Sequence, residues 1–272
     1  MYSLIYDKEK GIHYRRWVPP DPRVVMVLVH GLGAHSERWR CMAEFMFSRG
    51  VASYALELKG FGEANGIEGH VDSLDVYFDE ISALSGLASL ENPGKKVFIA
   101  GESLGGLIAL LAESKRPGGH SGLICISPAF KSRMTLKARE YALLVLAIIF
   151  APRKYFKLPF DSSMCTRDEV TRKNIEADHR EHRTATARLL WEILRAQVLA
   201  SFAARRIGEP LLFLQAGEDK LVDPSSTRQV FAMIGATDKK FIEYPGMYHS
   251  LTIDYGREQV FKDIFEWVEG RI

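Results

Sequence analysis

Gly101-Glu102-Ser103-Leu104-Gly105 follows directly on the apolar run Val97-Phe98-Ile99-Ala100. A strand that ends in Gly-x-Ser-x-Gly and turns at once into a helix holds its serine in a tight, strained bend, with the hydroxyl out at the top of a sheet. Glycines are needed there because a Cβ would collide with the neighbouring backbone. Gly106-Leu107-Ile108-Ala109-Leu110-Leu111-Ala112 reads as the helix that must follow. Its first N–H groups favour negative charge beside the serine. The chemistry open to such a residue is acyl transfer, with Ser103 attacking a carbonyl carbon.

A serine hydroxyl is a poor nucleophile near neutral pH and needs a base, usually a histidine oriented by a carboxylate. For a serine on a strand-to-helix turn, the partners follow in the order acid, then histidine. Downstream histidines are His120, His179, His182 and His249. His120 comes too soon after the serine helix. His179 and His182 lie in the charged run Asp178-His179-Arg180-Glu181-His182, which reads as solvated surface. His249 follows an apolar run, in Tyr244-Pro245-Gly246-Met247-Tyr248-His249, and is the expected base. The run Leu211-Leu212-Phe213-Leu214-Gln215-Ala216-Gly217 ends in Glu218 and Asp219, with Asp223 four residues on. Asp219 fits best as the residue that fixes the histidine tautomer, with Glu218 and Asp223 as surface or capping alternatives. Backbone N–H donors for the tetrahedral intermediate are expected from Leu104, next to the serine, and from Leu32 in His30-Gly31-Leu32-Gly33-Ala34-His35. His30 is expected to pack beneath that loop.

The elements that must position these residues alternate along the chain. Short apolar runs predict strands over 24–29, 51–56, 97–100, 123–126, 211–215 and 240–244. Helical patterns fill 36–49, 71–90, 103–114 and 224–234, with Ser36 as an N-cap, Gly50 as a stop and Pro224 in a first turn. Val260, Phe261, Ile264, Phe265 and Val268 share one face of a closing helix. This alternation implies a mostly parallel sheet flanked by helices, with the site at the carboxyl ends of its strands.

The alternation breaks between 129 and 210, which reads as helical throughout with no strand. It is expected to be a lid over residues 131–206, inserted into a core of residues 1–130 and 207–272. The 131–206 segment carries 16 Lys and Arg against 8 Asp and Glu, so the rest of the chain is acidic although the total is only +2. Within it, residues 141–151 are apolar on every side and stopped by Pro152. They are too few to span a bilayer, which takes ~20 residues. Lys137, Arg139, Arg153, Lys154 and Lys157 flank them. An apolar patch framed by cations would suit transient docking on a membrane surface; burial against the rest of the lid is the alternative.

Cys41, Cys125 and Cys165 show neither disulfide nor metal-type spacing, and the acidic N-terminus lacks a signal-peptide core. A cytoplasmic protein, peripheral at membranes if the lid docks there, is expected. No nucleic-acid motif is present.

With these pieces in place, the chain resembles the monoacylglycerol lipase and lysophospholipase branch of the α/β-hydrolase superfamily over nearly its whole length. His30-Gly31-Leu32-Gly33-Ala34-His35-Ser36-Glu37-Arg38-Trp39 is similar to that branch's oxyanion segment. Gly101 to Gly106 is similar to its serine turn, 216–222 to its acid loop, and 244–249 to its histidine loop. Leu158-Pro159-Phe160-Asp161-Ser162-Ser163-Met164-Cys165-Thr166-Arg167 is similar to its lid. Glu57-Leu58-Lys59-Gly60 departs from the family's more usual Asp-x-Arg/His-Gly beside the site. The resemblance implies Ser103, Asp219 and His249 as the triad, Leu32 and Leu104 as oxyanion donors, and neither cofactor nor metal. It implies hydrolysis of lipid esters with a single acyl chain. A carboxylesterase for small aryl or hydroxycinnamoyl esters is the enzyme alternative, and a ligand receptor on the same scaffold is the non-enzyme one.

Overall fold

The computed structural model describes residues 3–133 and 138–272. Among these, one sheet contains β1 (Ile5–Asp7), β2 (Ile12–Trp17), β3 (Val24–Val29), β4 (Val51–Glu57), β5 (Val97–Glu102), β6 (Gly122–Ile126), β9 (Leu211–Ala216) and β10 (Lys239–Tyr244). Their order is β1-β2-β4-β3-β5-β6-β9-β10. Pairing is parallel from β4 to β10 and antiparallel at β1–β2 and β2–β4. The six expected strands are all present. The β1–β2 hairpin was not expected, because Ile12-His13-Tyr14-Arg15-Arg16-Trp17 carries charges through its apolar alternation.

Every residue of β3 is buried, yet the strand still alternates between two cores. Val25, Val27 and Val29 face a cluster with α2 (Asp75–Glu91) and α3 (Leu104–Lys115). Val24, Met26 and Leu28 face the other, with α1 (Arg40–Phe47) and α9 (Arg257–Glu269). Covered on both faces, a parallel strand needs an unbroken apolar run, which explains why these strands are legible. The expected cap at Ser36 is corrected: Ser36 lies inside a 3-10 turn over Ser36–Trp39, and its N–H is donated to the Glu57 carboxylate at 2.6 Å.

Between β6 and β9 come α4 (Ala138–Phe150), β7 (Tyr155–Lys157), α5 (Ser162–Cys165), α6 (Glu169–Ala177), β8 (Thr184–Thr186) and α7 (Ala187–Ala204). The expectation of no strand there is corrected by β7 and β8, which pair antiparallel. Three residues each are too few to show a period of two in the sequence. α7 buries Ala196, Ala200, Ala203 and Ala204 in the core shared with α3. α4 turns Leu144 and Ala147 inward onto Ala187, with Leu190 packed beside them, while Leu146, Ile149 and Phe150 stay exposed. α8 (Pro224–Met233), capped by the Asp223 carboxylate, leads into β10.

Candidate active site

Ser103 stands at the carboxyl end of β5 with φ 57° and ψ −118°, outside helical geometry although α3 begins at the next residue. A non-glycine residue at positive φ is uncommon and stores strain. The surrounding backbone holds it there. A Cβ on Gly105 would come within 2.1 Å of the Val29 carbonyl oxygen, and one on Gly101 within 2.3 Å of the Gly105 carbonyl oxygen. Only glycines let β3, β5 and α3 meet this closely.

The structure brings Ser103, His249 and Asp219 into one hydrogen-bonded chain. His249 Nε2 lies 2.8 Å from Ser103 Oγ, and His249 Nδ1 lies 2.8 Å from Asp219 Oδ2. Asp219 is fully buried; its Oδ1 accepts the Leu221 and Val222 N–H groups at 2.9 and 2.8 Å. With the carboxylate an acceptor, Nδ1 must carry the proton, and Nε2 is free to accept from the serine. Burial lowers the His249 pKa, but Asp219 and Glu102 outweigh it and raise it above the ordinary histidine value. Of the acid alternatives, Glu218 is exposed and Asp223 caps α8 by accepting the Ser225 N–H at 3.0 Å.

Leu32 and Leu104 both line the cavity that opens above Ser103. Leu104 is the first residue of α3, where an N–H has no carbonyl in its own helix to bind. Gly31 lets the preceding loop close on the serine, since a Cβ there would lie 3.1 Å from Ser103 Cβ. His30 is buried; its ring nitrogens meet the Gly31 carbonyl at 2.9 Å and the Leu58 N–H at 3.1 Å. Burial holds its pKa well below the usual range, so it is a neutral strut under the loop.

The run Asp178 to His182, expected as solvated surface, is corrected. His179 is exposed, but His182 packs near the Phe61 ring and lines the cavity. Arg180 pairs with Glu37 and Asp178, each at 2.6 Å, and the Glu181 carboxylate accepts from Arg38 at 2.5 Å. The His182 N–H is donated to the Gly33 carbonyl at 2.8 Å. Charges that look solvated in the sequence therefore tie the insertion to the loop carrying Leu32. The departure at Glu57 has a similar use: this buried carboxylate accepts the Ser36 and Glu63 N–H groups and holds the same loop from below. Glu102, Arg38 and Glu181 were missed as site residues. Position 102 was legible inside the serine motif, but Arg38 and Glu181 meet only in three dimensions.

The cavity measures about 470 Å³. One set of lining residues is apolar, including Leu144, Phe156, Leu158, Leu190 and Ile193; the other is polar, with Arg38, Glu102 and Glu181. Lys137 lies outside the described residues.

A family model described as Serine aminopeptidase, S33 matches residues 20–255. The chain belongs to this family. It is a carboxylic ester hydrolase of the α/β-hydrolase fold, in the monoacylglycerol lipase-like branch. Phospholipase YtpA of Bacillus subtilis is 30% identical over 90% of this chain and 95% of its own. The crystal structure of Paleococcus ferrophilus monoacylglycerol lipase superposes with a TM-score of 0.86 at 27% identity, covering 96% of this chain and 99% of that one. An uncharacterized abhydrolase domain-containing protein of Dictyostelium discoideum is 26% identical over 99% of this chain, which spans only 29% of that relative's length.

Proposed function

We propose that this hydrolase cleaves esters of lipids carrying a single acyl chain, monoacylglycerols and lysophospholipids being the substrate class, with Ser103, His249 and Asp219 as its catalytic triad. The observation that carries this is the Ser103–His249–Asp219 chain at a cavity of about 470 Å³ whose lining includes Leu144, Phe156, Leu158, Leu190 and Ile193, side chains that suit an acyl chain. Ser103 attacks the ester carbonyl while His249 takes its proton; the oxyanion is met by the Leu32 and Leu104 N–H groups. His249 then protonates the leaving alcohol, and water releases the acyl-enzyme by the same route. The core is residues 1–130 and 207–272, and residues 131–206 form the lid, with the alanine face of α7 anchoring it.

The lid is also the proposed membrane contact. Ile149 and Phe150 of α4 are 66% and 79% exposed, as are Val198 and Phe202 of α7 at 69% and 62%. Arg153 and Lys154 stand exposed just beyond α4. Apolar side chains rimmed by cations bind lipid interfaces by burial plus attraction to anionic head groups. Among the described residues no helix is long and apolar enough to cross a membrane. The three cysteines are free thiols, which suits a reducing compartment.

The test is fatty-acid release from monoacylglycerols of increasing chain length by wild type and Ser103→Ala. Rates that rise with chain length and vanish in the variant support the proposal; activity confined to the shortest chains moves it to a small-ester esterase. Co-sedimentation with vesicles containing anionic lipid should fall several-fold in an Ile149→Ser, Phe150→Ser double variant. Unchanged sedimentation would remove the membrane contact.

A further inference from the structure

The polar lining of the cavity includes a carboxylate to which the chemistry above gives no contact with substrate. Glu102 precedes the nucleophile, lines the cavity, and accepts both the Thr252 N–H at 3.2 Å and its hydroxyl at 3.1 Å. Thr252 belongs to the loop that carries His249, so Glu102 is fixed to the two halves of the site at once. The groups around it are Arg38, Cys165, Glu181, Ser250 and His249. Arg38 is taken by Glu181, which it and His35 bring down to about 2 against the opposing effect of burial. Burial pushes the Cys165 thiol up to about 11, so it stays uncharged. Among the described residues no Lys or Arg stands within ion-pair distance of Glu102; burial raises its pKa above the ordinary glutamate value, and His249, the two Thr252 hydrogen bonds and the more distant Arg38 charge oppose that rise. Apolar lining residues that suit an acyl chain, Leu144, Phe156, Leu190 and Ile193, belong to α4, β7 and α7, whereas Glu102 is the residue next to Ser103 in the same cavity. An acyl chain seated on those apolar residues leaves the alcohol of an ester held at Ser103 to the polar lining beside it, where Glu102 stands.

We propose that Glu102 reads the leaving alcohol: it accepts hydrogen bonds from neutral polyol or cationic head groups and repels head groups that carry net negative charge. This rests on the lipid-ester reading above. A carboxylate facing a phosphate a few ångströms away in a half-desolvated cavity is unfavourable, and the same carboxylate is an acceptor for glycerol hydroxyls or an ammonium. The preferred substrates are therefore monoacylglycerols, and lysophospholipids whose phosphate is balanced by a cation, ahead of esters of glycerol phosphate. Glu102 also adds negative charge beside His249, so it acts on the base as well as on the alcohol.

The experiment measures kcat/KM with one acyl chain on four alcohols: glycerol, glycerophosphocholine, glycerol phosphate and p-nitrophenol, the last normalising for general losses. Wild type, Glu102→Gln and Glu102→Asp are compared. The glycerol ester should exceed the glycerol phosphate ester by roughly tenfold or more in wild type. Glu102→Gln should narrow that ratio several-fold, Glu102→Asp should restore part of it, and the acid limb of the glutamine variant's pH profile should move to lower pH. An unchanged head-group ratio in Glu102→Gln, or an equal loss on all four esters with an unmoved pH profile, overturns the proposal. A wild type that cleaves the aryl ester and none of the lipids overturns the lipid-ester reading instead, and this proposal with it.

Discussion

Two Ser–His–carboxylate chains lie at opposite edges of this sheet. At the carboxyl edge, Ser103, His249 and Asp219 are joined at 2.8 and 2.8 Å. At the amino edge, Ser85 Oγ lies 2.8 Å from His120 Nε2, and His120 Nδ1 lies 2.6 Å from Glu113 Oε2. By hydrogen-bond geometry the two are nearly alike. They differ in what surrounds the serine. Ser103 is at φ 57° on a turn, facing a cavity, with the first N–H of α3 beside it. Ser85 lies within α2, where backbone N–H groups are bound to carbonyls one turn earlier, and it does not line that cavity. No paired donors await an oxyanion there, and a carbonyl has no approach to a serine only 8% exposed. The second chain pins α2 to the loop before β6. Three correctly spaced side chains make a triad only where the fold also supplies strain, donors and space.

Several substitutions break or sharpen this contrast. The largest effect is expected at the proposed nucleophile: Ser103→Ala should lower kcat on the order of 10⁶-fold, while Ser85→Ala leaves it within about twofold. Labelling with a fluorophosphonate, followed by peptide mapping, should find Ser103 alone; a labelled Ser85 would sink the distinction. Next comes Asp219→Asn, which keeps the shape but lets the amide donate to Nδ1, so Nε2 can no longer accept. About 10⁴-fold in kcat should be lost. The pH profile carries the sign. In the proposed mechanism neutral His249 is the base, and its folded pKa is raised, so wild-type activity should fall away as pH drops through a value above the ordinary histidine range. An acid limb at or below the ordinary value would contradict the carboxylate assignments. The smallest effect belongs to the amino-edge chain. Glu113→Gln weakens a buried charge-assisted hydrogen bond and should cost about 1–3 kcal/mol of stability with little change in kcat. Urea unfolding with a midpoint unchanged from wild type would show that the pin carries no load.

How much of this could be read beforehand varies with the range of the interaction. The strand ends at 97–102 and 211–216 are marked by continuous apolar runs, so Ser103 and Asp219 could be placed from short windows of residues. β7 and β8 could not, since three residues carry no period. Asp178 to His182 was misjudged for a related reason. Its charges match those of a solvated helix face, and only the approach of Glu37 and Arg38, 143 residues away, removes them from water. His120 was set aside by its place in the chain order, but nothing local indicates that Ser85 and Glu113 meet it.

Taken alone, the sequence determines the strand-turn-helix at Ser103, the order of serine, acid and histidine, and the sheet that carries them. Those depend on backbone strain, glycine positions and hydrophobic period, all of which act over a few residues. Tertiary structure decides that Glu102 lines the cavity with no Lys or Arg at ion-pair distance among the described residues, that Arg38 pairs with Glu181, and that one of two similar hydrogen-bonded chains has a cavity. Desolvation and charge pairing depend on which distant side chains are excluded from water together, and no local window of the chain contains that information.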